Sequence, residues 1–365
     1  MRKLAFDIRI PVVQAPMAGG NITTPELTAA VSNSGGLGSL AAGYLSAREV
    51  EQAIRKTRAL TQRPFAVNLF APGARAPLSG DCGTQLRLLS PIHERLGLDP
   101  PAMPDRVAEL FTEQIEIVFA AKIPIVSFTF GLLPEDVMAR LHAQGAFVMG
   151  TATTVAEAKM LEAAGVDAVI AQGSEAGAHR GTFDVPAEPP LVGTIALVPQ
   201  IVDAVKIPVI ASGGIMDGRG IVAALALGAS AVQMGTAFLT CDECGAPAAH
   251  KRAVLDAADD STSLTRAFSG RWARGIRNRF MEASRRSGSE PLSYPWQNSL
   301  TTPMRAAAGK KGEPDYLSLW AGQGTRMARP MPAADLMRVL ELEIRQAITD
   351  VSSLGGSPTG RTAPA

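Results

Sequence analysis

The chain alternates between short apolar runs and amphipathic segments of helical spacing. Eight runs are apolar throughout and end at glycine, proline or polar residues, which is typical of strands buried on both faces. Because helical segments separate these runs, the strands are predicted to be parallel, and eight of them predict a (β/α)8 barrel. The first helical segment has clear signals, with Thr24 as N-cap and Pro25 at its first position. The predicted strands are residues 10–16, 35–42, 65–70, 123–131, 146–152, 167–173, 207–214 and 230–238.

Two segments interrupt the strand–helix repeat. Residues 71–114 form an insertion after the third strand, and residues 239–320 form a larger, mainly helical insertion that is expected to cover the barrel mouth. Residues 1–238 make up the predicted barrel, and residues 321–350 contain a closing helix whose apolar stripe packs on it. The last residues, 351–365, are rich in Gly, Ser and Pro and are predicted to be disordered.

Composition narrows the class of partner. The 365 residues are 46% hydrophobic and 19% charged, with a net charge of +1, so there is no electrostatic reason to expect nucleic acid or an anionic membrane surface. The N-terminus lacks the apolar core of a signal peptide, and no run approaches the roughly 18 apolar residues of a membrane helix. A cytoplasmic protein with small-molecule ligands is the resulting expectation.

The cysteines predict neither a disulfide framework nor a metal site. There are three of them, Cys82, Cys241 and Cys244, which fits a reducing compartment. Cys241 and Cys244 form a C-x-x-C pair, but a zinc site needs two further ligands, and His250 alone does not supply them. A plain reduced loop is therefore favoured over a metal or redox role.

Polar side chains and glycines recur where the predicted strands end. Met17 follows the first strand, Asn68 ends the third, Thr129 the fourth and Gln172 the sixth. The active site of a (β/α)8 barrel lies at this end of the strands, so these residues are predicted to surround one ligand pocket. Ordinary turn chemistry is the alternative for any one of them.

The last two predicted strands end in the glycine-rich turns "SGGI" and "QMGT". Glycine backbone beside a helix N-terminus binds anions, so Gly214, Gly235 and the Thr236 hydroxyl predict a phosphate site. The side-chain amides of Asn68 and Gln172 can form hydrogen bonds with the polar edge of a ring. The thioether of Met17, which follows the first strand, is suited to packing against a flat aromatic ring. The alternative is that Met17 packs in the core. Together these features favour a flavin over a sugar phosphate.

Ordered motifs across most of the chain resemble one family. They include "VVQAPMAGG", "FAVNLFAP", "SFTFG", "QGSEAGAHRGTF", "VIASGGI", "QMGTAF", "YPWQNSLT" and "WAGQG". They resemble the FMN-dependent nitronate monooxygenases, formerly called 2-nitropropane dioxygenases, which oxidise an alkyl nitronate with molecular oxygen to a carbonyl compound and nitrite. The resemblance implies FMN as cofactor and no metal. The residues that it implies around FMN are Gly214, Gln233, Met234, Gly235 and Thr236 at the phosphate, and Met17, Ala18, Gly19, Asn68, Gln172 and Gly177 about the ring and ribityl chain.

The loop after the sixth strand, "AQGSEAGAHRGTF", carries further candidate groups. Glu175 is expected to hold this loop through backbone amides. His179 is a candidate catalytic residue that donates to an anionic nitro group; a loop histidine bonded to a carbonyl is the alternative. Arg180 is expected to face solvent or support the loop. Residues 180–194 contain three prolines and could close over the mouth as a lid.

Thr129 departs from the pattern that the resemblance implies. It stands in the middle of "SFTFG", where the resemblance implies a histidine that removes the α-proton of a neutral nitroalkane. Thr129 is a candidate catalytic residue by position, but a hydroxyl is a poor base near neutral pH. A nitronate is already deprotonated and needs only orientation and electron transfer. The hypothesis is that the protein oxidises nitronates and handles neutral nitroalkanes poorly.

An arginine-rich stretch, "RWARGIRNR", lies in the larger insertion. Arg271, Arg274 and Arg277 are three residues apart, which would place them near one face of a helix. One interpretation is a solvated basic face, and the other is attraction of a carboxylate such as that of propionate 3-nitronate. Tyr294 and Trp296 would either form an aromatic rim over the pocket or fasten the insertion to the barrel.

Two other functions stay open. One is an NADH-dependent FMN barrel of the type II enoyl-acyl-carrier-protein reductase kind, which has a similar loop after its sixth strand. The other is an FMN-binding barrel that has lost the ancestral activity. The threonine in "SFTFG" is the reason for considering this function. Flavin reduction by a nitronate, by NADH or by neither separates the three functions. A homodimer is also left open.

Overall fold

A computed structural model of the chain describes residues 2–353 and confirms the (β/α)8 barrel. The barrel strands are β1 (Val12–Gln14), β2 (Ser39–Ala41), β3 (Ala66–Phe70), β4 (Ile125–Thr129), β5 (Phe147–Ala152), β6 (Ala168–Gln172), β8 (Val209–Ser212) and β9 (Ala231–Met234); β7 (Ala178–His179) lies outside the barrel. Neighbouring barrel strands pair in parallel in the order β1-β9-β8-β6-β5-β4-β3-β2. A bridge between Val13 of β1 and Leu37, just before β2, closes the cylinder.

Helices cover the outside of the barrel and the larger insertion. The helices are α1 (Pro25–Asn33), α2 (Ala47–Leu60), α3 (Cys82–Leu96), α4 (Phe111–Ala120), α5 (Glu135–Ala143), α6 (Val155–Ala163), α7 (Thr194–Ala204), α8 (Gly218–Ala226), α9 (Thr236–Leu239), α10 (Ala248–Asp256), α11 (Arg279–Arg286), α12 (Trp296–Lys311) and α13 (Ala333–Ser353). The predicted start of α1 is confirmed, because Thr24 Oγ1 accepts a hydrogen bond of 3.0 Å from Leu27 N and Pro25 is the first helical residue.

The core has two layers separated by the strands. The inner layer fills the barrel with side chains such as Val13, Ile125, Met149 and Ile210, all at most 1% exposed. The N-terminal segment packs against this layer, and the ring of Phe6 lies 5.1 Å from that of Phe147. The outer layer lies between the strands and the helices. Because the N-terminal segment closes one end of the barrel, the carboxyl end of the strands is left for a ligand.

The larger insertion contains a β-hairpin that the sequence analysis did not predict. Its strands β10 (Thr262–Thr265) and β11 (Ala273–Ile276) are antiparallel, and β11 also pairs with β7. The prediction of one helical face for Arg271, Arg274 and Arg277 is therefore wrong. The solvated basic face is wrong for the first two, which are only 2% and 8% exposed. The local sequence alternates large and small residues, and only glycine fits at position 275, where a Cβ would lie 2.8 Å from Leu319 O.

The ends of two predicted elements differ in the structure. The eighth barrel strand, β9, stops at Met234, and residues 236–239 form the short helix α9 instead of continuing the strand. Helix α13 packs on α8 and α1, which agrees with the closing helix, but it extends to Ser353. Residues 351–353 of the predicted disordered tail are thus helical, and residues 354–365 lie outside the described residues. Within residues 2–353, no helix combines the length and apolar character that a membrane span requires.

Candidate active site

A cavity opens at the carboxyl end of the barrel strands. It measures about 1150 Å³ with the open space at its mouth included, which is room for a cofactor and a small substrate. Gly19 is the one predicted site residue outside its lining; it lies in the turn after β1 with a φ of 104°. The predicted residues that line the cavity are Met17, Ala18, Asn68, Thr129, Gln172, Gly177, His179, Gly214, Gln233, Met234, Gly235 and Thr236.

One side of the cavity is built from glycine backbone. Gly213 and Gly214 follow β8 with φ values of 119° and 71°, a region that favours glycine. A Cβ on Gly213 would lie 3.1 Å from Ala176 N, and one on Gly322 would lie 2.7 Å from Glu175 O. Three chain segments, around residues 173–177, 213–214 and 321–324, therefore meet backbone to backbone; we call them the glycine cradle. Such a surface leaves main-chain groups accessible to a phosphate.

The sequence analysis did not predict that the third segment of the glycine cradle, residues 321–324, contributes site residues. Gly322 and Gly324 line the cavity, and Gly322 N donates a 2.9 Å hydrogen bond to Thr236 Oγ1. The sequence signal was present in the motif "WAGQG", which has two glycines one residue apart. Trp320 and Phe130 also line the cavity and were not predicted. Trp320 lies far from the predicted site residues in sequence, so only the fold brings it to them, whereas Phe130 directly follows Thr129 in the motif "SFTFG".

Glu175 fixes the cradle to helix α7. Its carboxylate oxygens both accept from Thr194 N at 2.9 Å, and the Thr194 hydroxyl lies 2.9 Å from Oε2. A carboxylate at a helix N-terminus is stabilised by the main-chain amides and by the helix dipole. The expectation that Glu175 holds the loop through backbone amides is confirmed.

Arg180 supports the same loop from inside the protein. It is 1% exposed, and its guanidinium donates to Gly173 O at 2.5 Å and to Gln172 O at 3.1 Å. Burial lowers the pKa of Arg180 to about 10, so the side chain is still charged at neutral pH. The expectation of loop support is confirmed, and the alternative of a solvent-facing side chain is wrong.

The two amides predicted to read a ring edge differ in how they are held. Gln172 Nε2 donates to His179 O at 3.0 Å, and Gln172 Oε1 accepts from Gly181 N at 2.8 Å, so both ends of this amide hold the loop. Asn68 Nδ2 donates to Ser127 Oγ at 3.0 Å. The Oδ1 atom of Asn68 accepts no hydrogen bond from the described residues. Asn68 is therefore the amide with an acceptor still available to a ligand.

His179 lies in an aromatic cage at the mouth of the cavity. Its Nε2 is 2.8 Å from Ser269 Oγ, and its ring centroid lies 5.6 Å from Trp320, 5.8 Å from Phe130 and 6.4 Å from Tyr294. The imidazole ring is half-buried, because one of its sides faces the cavity. Burial, and then the positive charges of nearby arginines, lower the pKa of His179 to about 3. The imidazole is therefore neutral near pH 7 and can donate one N–H bond.

Thr129 ends β4 in the cavity wall that the strand ends form. Its hydroxyl lies 3.4 Å from the Thr151 hydroxyl, and both residues line the cavity. Neither group ionises near neutral pH. This wall therefore offers hydrogen bonds to a ligand but no proton-abstracting base.

Arg271 and Tyr294 form a charged and aromatic edge beside His179. The Arg271 guanidinium lies 4.2 Å above the Phe130 ring and donates to Thr182 O. Burial lowers the pKa of Arg271 to about 10, which keeps a full positive charge near the cavity at neutral pH. Tyr294 is 6% exposed and belongs to this edge, whereas Trp296 packs against the outer core and fastens the insertion.

No metal site is evident in residues 2–353, where no group of three His, Cys, Asp or Glu side chains has suitable geometry. Cys241 and Cys244 are buried, and burial followed by the charge of Glu243 raises the pKa of Cys241 to about 12. Both thiols are therefore protonated near neutral pH and unreactive. His250 donates elsewhere, since its Nε2 lies 3.0 Å from Trp320 O, an atom that can only accept.

Acidification is expected to destabilise the protein through His250. Burial lowers its folded-state pKa to about 4, whereas an unfolded histidine has a pKa of about 6.5. Between these values the unfolded chain binds a proton that the folded chain excludes, so stability falls as pH falls, by up to about 1.4 kcal/mol per pH unit. Urea unfolding at a series of pH values measures the slope. His250→Gln keeps an N–H donor for Trp320 O and should reduce the slope; equal slopes would contradict the assignment.

Several known proteins are similar to this chain. A model of the nitronate monooxygenase family matches residues 2–343. A probable nitronate monooxygenase of Staphylococcus aureus (strain Newman) is 44% identical over 342 residues, 93% of this chain and 96% of that protein. The solved structure of nitroalkane oxidase from Streptomyces ansochromogenes has 44% identity and a TM-score of 0.88, covering 94% and 98% of the two chains. FabK from Thermotoga maritima has 27% identity and a TM-score of 0.73, covering 95% and 96%.

The fold and the glycine-lined cavity define an oxidoreductase of the flavin-dependent (β/α)8-barrel class. The chain belongs to the nitronate monooxygenase family. This confirms the resemblance found in the sequence motifs, and the chemistry of the family is the oxidation of nitronates.

Proposed function

We propose that this protein uses FMN and molecular oxygen to oxidise alkyl nitronates, such as propionate 3-nitronate, to a carbonyl compound and nitrite. The observation that carries the proposal is the glycine cradle at the carboxyl end of the barrel. Its Gly213 and Gly214 have φ values of 119° and 71°, and it adjoins Gly235 and Thr236, where main-chain groups would hold a phosphate.

The residues of the cavity have separate tasks in this proposal. Bound FMN would supply the electron-accepting ring and the reactivity toward oxygen. Met17 and Ala18 would pack against the ring, and Asn68 Oδ1 would accept from its polar edge. Neutral His179 would donate to a nitro oxygen of the substrate. The charge of Arg271 would favour an anionic substrate in this poorly solvated site.

The protonation state of the substrate follows from the acid–base groups present. Thr129 is no base, and His179 with a pKa of about 3 is a weak one. A nitronate needs no deprotonation, so we expect it to react faster than the parent nitroalkane. The nitroalkane oxidase named among the solved structures makes neutral nitroalkanes the natural competing substrates.

Anaerobic mixing with the flavin-loaded protein tests the proposal. Ethyl nitronate is expected to bleach the flavin absorbance at least about 100-fold faster than nitroethane at neutral pH, the lower end of what a positioned base contributes. NADH is expected to leave the absorbance unchanged. Bleaching by NADH alone would favour the reductase, and a flavin that no nitronate reduces would favour a barrel without the family's activity.

His179→Gln separates two origins of any nitroalkane activity. If nitroethane bleaches the flavin as fast as ethyl nitronate, and this variant loses only the nitroethane reaction, His179 is the base and the preference for nitronates is wrong. If the variant slows both substrates alike, His179 serves to orient the nitro group. Cytoplasmic location and a homodimer stay predictions.

A further inference from the structure

A second cavity adjoins the candidate active site. It measures about 680 Å³ including its mouth, and it lies between the end of β3, the segment before α4 and the start of α12. Phe70 lines both cavities, so its ring forms part of the partition between them. Tyr44, Arg75 and Tyr294 also line the second cavity, which we call the Arg75 cavity.

Two buried polar groups of the Arg75 cavity have donor hydrogens without an acceptor. Arg75 Nη1 and Tyr44 Oη are shielded from solvent, and neither makes a hydrogen bond of ordinary length in the described part of the chain. The Tyr44 oxygen interacts with the Tyr294 hydroxyl as an acceptor, which lowers the pKa of Tyr44 and leaves its own O–H hydrogen available to a ligand. Arg75 Nη2 donates to Val107 O at 2.6 Å, which fixes the direction of the guanidinium. Buried donors without acceptors are uncommon and costly, so two of them on one cavity indicate that a ligand supplies the acceptors.

The charges around the Arg75 cavity are mainly positive. Burial raises the pKa of Tyr44, and the charges of Arg305 and Arg271 partly oppose that shift, so both arginines act at this place. One acidic residue, Glu109, lines the cavity. Its oxygens accept from Phe111 N at 2.6 Å and Thr112 N at 3.3 Å, at the start of α4. Among the ion pairs of residues 2–353, none joins Glu109 to Arg75.

We propose that the Arg75 cavity binds a carboxylate, with Arg75 Nη1 and Tyr44 Oη as its donors. A carboxylate satisfies both donors at once and neutralises part of the surrounding positive charge. Since Phe70 lines both cavities, we assign the carboxylate to a nitronate substrate that passes the Phe70 side chain and has its nitro end near His179. This assignment rests on the proposed function. A separate small carboxylate would use the same two donors.

The test compares two nitronates that differ only in charge at the far end. Propionate 3-nitronate carries a carboxylate, and the nitronate of 1-nitro-3-methylbutane has an isopropyl group in its place. Steady-state kcat/KM is measured for both substrates with the flavin-loaded wild type, Arg75→Gln, Arg75→Lys and the control Arg87→Gln, which changes an exposed arginine of α3. Propionate is added as a competitor to detect binding of a separate carboxylate.

Arg75→Gln is expected to lower the ratio of kcat/KM for the charged substrate to that for the uncharged one by about 10- to 100-fold, as for a lost charge-assisted hydrogen bond. Arg75→Lys should restore part of that ratio, and Arg87→Gln should leave it unchanged. Arg75→Gln could instead leave the kcat/KM ratio unchanged and weaken inhibition by propionate. That result would assign the subsite to a separate carboxylate. An unchanged ratio without this weakening overturns the proposal. If neither nitronate is oxidised by the wild type, the proposed function fails instead; propionate binding, followed by protein fluorescence, then still tests the subsite.

Discussion

Replacing Gly177 with alanine is expected to abolish flavin binding while the barrel stays folded. A Cβ at this position would lie 2.5 Å from the carbonyl carbon of Ala321 and 2.5 Å from Gly322 N. Both are main-chain atoms, so the two segments of the glycine cradle must move apart to accept the methyl group. Because the cradle would hold the phosphate, we expect flavin affinity to fall at least about 100-fold, equivalent to about 2.8 kcal/mol.

Flavin fluorescence titration measures this loss, and circular dichroism with a thermal melt checks the fold. Gly73→Ala is the matched control, since a Cβ at Gly73 meets nothing within 4 Å and the residue has no positive φ. A Gly177→Ala variant that binds flavin as tightly as the control would show that the cradle does not carry the phosphate. Loss of flavin in both variants would point to a general sensitivity of the fold instead.

The barrel could be predicted from the sequence because its strands are buried on both faces. Runs such as "IPIVSFTFG" and "DAVIAQG" are apolar at consecutive positions, and this pattern has few alternatives when helices separate the runs. The end of β9 was predicted too far along the chain. Ala237 and Phe238 are buried and apolar whether they extend a strand or begin a helix, so composition alone does not separate the two states.

The spacing of the arginines could not predict the β-hairpin of the larger insertion. Arg271 and Arg274 are three residues apart, which fits a helix face, but the chain is extended there and both side chains are buried among loop carbonyls. β7 is only two residues long, and the φ of 61° at its first residue, Ala178, breaks any regular pattern. Pairing between such distant segments depends on tertiary contacts that local spacing does not encode.

The candidate site, like the fold, could be predicted from the sequence only in part. Residues at or just after strand ends, such as Thr129 and Gly214, could be predicted because barrel topology collects them at one end. Gln172 was assigned to the ligand, although its amide is held at both ends by the loop, because a sequence gives no hydrogen-bond partners. Gly322 approaches Gly177 across a gap of more than a hundred residues, and only the folded chain shows that contact.

Replacing Arg180 with methionine is expected to lower the free energy of unfolding by about 3 kcal/mol. The side chain is 1% exposed and donates to Gly173 O and Gln172 O, and hydrogen bonds from a charged group contribute about 1.5 to 3 kcal/mol each. Methionine fills a similar volume but donates nothing. Arg180→Lys should recover less than half of the loss, because an ammonium group cannot reproduce the forked geometry. Urea unfolding at neutral pH measures each change.

The exposed Arg277 provides a control on the same side of the barrel. Arg277→Met should change stability by no more than about 0.5 kcal/mol, as surface substitutions do. The outcome for Arg180→Met depends on two opposing effects, since the burial that lowers its pKa to about 10 also makes the charge costly to keep in the folded state. A variant as stable as the wild type would mean that this desolvation cost offsets the two hydrogen bonds. The loop that carries His179 would then be held by Glu175 and Gln172 without the buried cation.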